Sequence, residues 1–130
     1  LIDELAQIEI AACTADEQAR EATLRRAEDM LDQGAVAHCH LVALPEAMRL
    51  RLAQGRHDEV LRLAARLEHY VRDEPNLWAT HHAAAARARV QAARSPGDAA
   101  HRTELQRLLS EAQAARLLHS ALELQQALGG

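Results

Sequence analysis

Between its few breaks the chain is written almost wholly in residues that favour the α-helix. Stretches dominated by Ala, Leu, Glu and Arg, all strong helix formers, are interrupted by only five Gly and three Pro in 130 residues. Ala and Leu together exceed a third of the sequence, aromatic residues make up 2%, and Phe is absent. β-Sandwiches and barrels draw on β-branched and aromatic side chains that this chain lacks. The sequence therefore predicts an all-α protein. Its length suits one compact domain or a short array of repeats, and 48% apolar residues suffice for a buried core.

Apolar spacing places seven helices. Leu1, Leu5, Ile8 and Ala12 mark the first, over residues 1–13. Thr14 with Glu17 three positions on reads as a capping box for a second helix from about Ala15 to Gln33, which Gly34 ends. Leu41, Leu44, Met48 and Leu52 keep one face through Pro45, so one kinked helix from about Val36 to Gln54 is expected, stopped by Gly55. His57–Val71 carries Val60, Leu61, Ala64 and Leu67 on one side, with Asp58 and Glu59 at its positive end. Asn76 caps a helix from Leu77 to about Arg94, and Asp98 caps the next. A last helix runs from about Arg116 to Leu128. Connections this short make sequence neighbours pack antiparallel, as stacked helical hairpins.

Helix pairs repeating at about 34 residues are the tetratricopeptide (TPR) pattern. With Leu41 at position one, Gly55 falls at the small residue between helices, Val60 at the small inward site of the second helix, and Pro75 at the closing break. The best unit is 41–74. The second, 75–108, puts Trp78 at its fourth position, where the pattern favours Trp, but carries Arg89 where Gly is expected. The expected fold is one TPR-like right-handed superhelix over residues 1–130.

The run Gly55-Arg56-His57-Asp58-Glu59-Val60, the stretch Leu67 to Trp78, the triplet His38-Cys39-His40 and the segment Leu105 to Ala112 resemble the C-terminal TPR-like region of bacterial class III adenylate/guanylate cyclases that carry an ATPase module. The likeness spans roughly Gly34 to Leu128, with departures at Cys39, Pro45, His57 and Val60. It implies a regulatory or interaction segment without catalytic residues, because the cyclase and nucleotide sites of that family lie in other domains. The helical segment of an ATPase-type transcription activator is the alternative parent.

Charge and chemistry narrow the rest. Fifteen basic residues, all Arg, stand against nineteen acidic ones, a net charge of −4, which argues against non-specific binding to nucleic acid. No apolar run reaches the ~18–20 residues of a membrane span. Cys13 and Cys39 make no disulfide framework, and the opening Leu1-Ile2-Asp3-Glu4 has no signal-peptide character. Together these suggest a piece of a longer cytoplasmic protein. His38 and His40 lie two apart, and His81 and His82 are adjacent, so on helices neither pair converges on one ion. A His-containing metal bundle is the weakest reading. Cys39 reads as a small core residue and not as a nucleophile, no Gly-rich phosphate loop occurs, and pairs such as Glu68–Arg72 read as solvated. No catalytic, cofactor or metal residue is assigned. Tyr70 and Trp78, flanking Pro75, are expected to pack as a hinge. Arg49 and Arg87 are the expected groove-facing residues for an acidic peptide, the parent's other domains or a second copy.

Overall fold

The computed structural model describes residues 10, 16–32 and 37–129, with side chains described for 10, 16–29 and 41–129. The described residues form six helices: α1 (Glu17–Asp32), α2 (Ala37–Ala53), α3 (His57–Tyr70), α4 (Leu77–Arg94), α5 (Ala99–Ala114) and α6 (Leu118–Gly129). Of the helix expected over 1–13 only Ile10 is described, in helical conformation; the rest of it, with Cys13 and Thr14, lies outside the described residues, as do the side chains of His38, Cys39 and His40.

Local chemistry sets the ends. The Asp16 carboxylate accepts from the Gln18 amide at the start of α1, Asn76 accepts from Ala79 at α4, and Asp98 accepts from Ala100 at α5. Gly55, at φ 73°, ends α2. Its N–H donates to Leu52 and that of Arg56 to Arg51, the pair of bonds by which a left-handed residue closes a helix. Arg116 closes α5 in the same way at φ 58°, its N–H on Gln113 and that of Leu117 on Ala112. The last helix therefore starts at Leu118, two residues later than its apolar spacing suggests.

α2 runs unbroken from Ala37 to Ala53 with Pro45 inside it. Proline has no N–H to give the carbonyl four residues back, here that of Leu41. The indole Nε1–H of Trp78 donates to that oxygen at 3.0 Å. The bond ties the start of α4 to the start of α2, so these two helices run the same way.

Cross-helix bonds fix the remaining directions. Arg94 at the end of α4 reaches Asp58 at the start of α3 at 2.7 Å, and Arg102 at the start of α5 donates to the Leu128 carbonyl at the end of α6. Neighbours in sequence are antiparallel. Each helix packs on the next; α2 also packs on α4, and α4 on α6, whereas the backbones of α3 and α5 do not come close.

α4 is thus surrounded by four helices, and its composition allows it. Ala79, Ala83, Ala86 and Val90 enter a core with Leu24, Leu44, Leu63 and Leu67 from α1 to α3. Ala85 and Ala88 enter a second core with Leu105, Leu108 and Leu124. Side chains this small on several faces let each neighbour come close to the helix axis. Val60 is fully buried at its inward site on α3. A buried Leu contributes about 1.5–3 kcal/mol, several times an exposed ion pair, so these cores hold the stack.

One polar cluster is built into the stack. Arg51, 1% exposed, continues the Leu44–Met48 stripe of α2 and pairs with Glu21 of α1. Glu28 lies 3.9 Å from Arg51 and 2.8 Å from Arg62 of α3. Desolvation pushes the Glu21 carboxyl up, but the hydrogen bond and charge of Arg51, with Arg25 and Arg56, outweigh it and hold it below the ordinary range. Arg51 Nε, Gln54 Nε2 and Glu28 Oε1 are buried without a hydrogen-bond partner among the described residues. The expected solvated pair Glu68–Arg72 does not form: Glu68 pairs with Arg87, and Arg72 turns to His69 and Asp73.

Candidate functional site

Trp78, His82, Ala85 and Arg89 recur at intervals of four, three and four, so they form one stripe of α4. That stripe floors a groove whose walls are the flanking α2 and α6. Pro45, Arg49 and Leu52 stand on the α2 side; His119, Leu122 and Glu123 stand on the α6 side. The floor is recessed because Ala85 and Ala86 carry only a methyl group.

Most of the groove's charge is internally paired. Arg49 lies 2.5 Å from Glu46 one turn back on α2. Arg89 reaches across from α4 to Glu123 of α6 at 2.5 Å, and His119 Nε2 approaches the other oxygen of that carboxylate at 2.6 Å. These bonds fix the side chains along the groove.

At the end nearest the helix starts, the groove opens into a hollow of about 550 Å³ lined by Pro45, Trp78, His82, Arg116, Leu118 and His119. Trp78 and Leu118 are 44% and 76% exposed. The Trp78 ring meets His82 edge-on, centroids 4.3 Å apart. His82 Nε2 is buried and has no hydrogen-bond partner among the described residues. Burial, reinforced by the nearby His81 and His119 and opposed by Glu46, pushes the His82 pKa down to about 4, so the ring is neutral at pH 7. Beneath the groove, His81 is fully buried and bonds Glu111 of α5 at 2.8 Å through Nδ1 and Ser120 of α6 at 2.7 Å through Nε2. It locks α4, α5 and α6 at one point.

The structure separates the two arginines singled out from the sequence. Arg49 lines the groove, whereas Arg87, 200° around α4 from Ala85 at 100° per residue, pairs with Glu68 and lies beside His101 and Glu104 of α5. The groove's second arginine is Arg89, the residue that stands where the repeat pattern favours Gly. Gly55 and Pro75 lie in the connections before α3 and α4, and Tyr70 ends α3 at 38% exposed. Trp78 belongs to the groove as well as to the α2–α4 contact. Sequence reasoning missed Arg89, Arg116, His82 and Glu123. The signal available for the first three was the 78–82–85–89 stripe and a charged residue at a helix stop.

Among the described residues no three His, Cys, Asp or Glu side chains are placed to hold a metal, and no helix is long and apolar enough to cross a membrane. Set against known proteins, the chain matches no family profile, no curated protein and no solved structure.

Proposed function

We propose that this chain is a TPR-like helical-repeat segment that binds another polypeptide along the groove of α2, α4 and α6, without catalysis of its own. The carrying observation is the packing order: α2 touches α4 and α4 touches α6, while α3 and α5 stand behind them. Repeats stacked this way present their first helices as one continuous surface. The groove adds an exposed Trp, which such surfaces favour as an anchor, and charges fixed by mutual pairing. The resemblance of Leu67–Trp78 and its flanks to the helical region of class III cyclases supports a regulatory segment in a cyclase-type signalling protein, with the parent's other domains as partner.

Site-specific photo-cross-linking tests this reading. A photoreactive residue at Leu122, on the α6 wall, should trap a polypeptide in cells carrying the gene, while one at the exposed Gln106 of α5 should trap far less. Equal yields at both positions would rule out the groove as the binding face.

A further inference from the structure

The hollow at the end of the groove has its own chemistry, and a role for it rests on the groove being a protein-binding face. Its walls are mostly apolar, with Trp78 and Leu118 open to solvent. Arg116 is the one arginine lining the groove that forms no ion pair among the described residues; Arg49 has Glu46 and Arg89 has Glu123. Arg116 stands on the left-handed turn before α6, where Gly is the usual residue, so its side chain is displayed at a position whose backbone does not ask for it. The first residues of α6, Leu118 to Ser120, line the same hollow, and the residue before the helix is Leu117, whose side chain cannot cap their amides. Both features favour a negative charge. Glu46, the one acidic residue lining the hollow among the described residues, is held by Arg49. At about 550 Å³ the space lies in the range of small-ligand sites and admits a side chain or two of a peptide.

The geometry points to this hollow as the docking site for a partner segment in which an aliphatic residue stands beside an acidic one: the aliphatic side chain packs between Trp78 and Leu118, and the carboxylate pairs with Arg116. The occupant is a stretch of extended peptide with an adjacent Leu and Glu. His82 Nε2, buried with no partner among the described residues, offers a further hydrogen bond to a group that reaches it.

Trp78 is the chain's single tryptophan, so it reports on the hollow directly. The probe is the blocked tetrapeptide Ac-Ala-Glu-Leu-Ala-NH2, titrated while Trp78 fluorescence and the indole N–H resonance are followed. A saturable response is expected, with affinity at least fivefold weaker for the Gln-for-Glu peptide and for the protein variants R116Q and R116G. R116G suits the left-handed turn and keeps the fold testable. Equal affinity for the Gln peptide, unchanged binding by both variants, or no saturation by about 10 mM, the weak end for a ligand of this size, would each overturn the inference. Cross-linking at position 122 that persists in R116G would leave the groove standing while this pocket falls.

Discussion

The indole N–H of Trp78 fills the place of the amide that Pro45 lacks, donating to the Leu41 carbonyl at 3.0 Å. A proline in mid-helix costs about 3 kcal/mol, part of it the stranded carbonyl. Here the stranded acceptor becomes the attachment point for the next hairpin. The prediction is a coupling. Trp78→Phe should cost about 1 kcal/mol in the native background and clearly less when Pro45→Ala restores the backbone donor. Chemical denaturation of the four proteins of this double-mutant cycle measures it, and strict additivity would show that the bond contributes nothing.

Arg116 should be replaceable at a gain in stability. Its φ of 58° disfavours an L side chain by about 1 kcal/mol, and it makes no ion pair among the described residues to offset that. Arg116→Gly is expected to raise the unfolding free energy by about 0.5–1 kcal/mol. The same change at Gly55 in reverse, Gly55→Ala, should destabilise by a similar amount, since its φ of 73° is strained for Ala although no described atom lies within 4 Å of the added methyl. Opposite signs for the two variants, read from their denaturation midpoints, are the check.

How far the sequence speaks for the structure can be judged at these same positions. Helix punctuation is local, so Gly55, Asn76, Asp98 and the reach of α4 from Leu77 to Arg94 were readable from a few neighbours each. Apolar spacing likewise carried α2 through Pro45. What resisted reading was pairing over distance: Trp78 with the Leu41 carbonyl, Arg51 with Glu21, His81 with Ser120. Each joins residues thirty or more apart, and no local pattern names the partner. The Ala-rich α4 also hid its own orientation. A helix with small residues on most faces has a weak amphipathic signal, so apolar spacing did not tell Arg87 from Arg89, and only the 78–82–85–89 stripe that begins at Trp78 sets Arg89 on the groove.

Arg51 gives a third test. Each of its carboxylate partners has another cation, Glu21 having Arg25 and Arg56 and Glu28 having Arg62. The guanidinium, 1% exposed, makes ion pairs with only these two carboxylates among the described residues. Removing the arginine should therefore cost less than removing the acids. Arg51→Met, which continues the apolar stripe of Leu44 and Met48, should lose no more than about 1–2 kcal/mol, whereas Glu21→Gln with Glu28→Gln should lose about 3–5 kcal/mol by leaving a buried charge unmatched. Urea melts of the two variants that rank the other way would refute this ordering.

His81 should behave as a structural tie. Ser120→Ala leaves its Nε2 buried without a partner and should cost about 1–3 kcal/mol. His81→Ala, which also opens a cavity among α4, α5 and α6, should cost about 2–4 kcal/mol. Denaturant midpoints of the single and double variants decide it: the double should cost little more than His81→Ala alone, because both changes break one bond.

Acid should loosen the fold through His82. Its pKa is pushed from the ordinary 6.5 to about 4 in the fold, so between these values the unfolded chain holds more protons than the native one. Stability then rises with pH across that interval: its full value is present above pH 6.5 and falls away as the pH drops toward 4. A shift of this size corresponds to about 3 kcal/mol. The groups facing the ring are His81 on its own helix, Glu46 from α2 and His119 from α6. The lowered carboxyls of Glu21 and Glu59 add their own loss only below their ordinary 4.5. His82→Gln removes the titrating ring and should flatten the stability profile between pH 6.5 and 4.5, leaving the steeper fall below pH 4.5 in place. Thermal melts across this range test it, and an unchanged slope in the variant would mean that His82 is not the group being protonated.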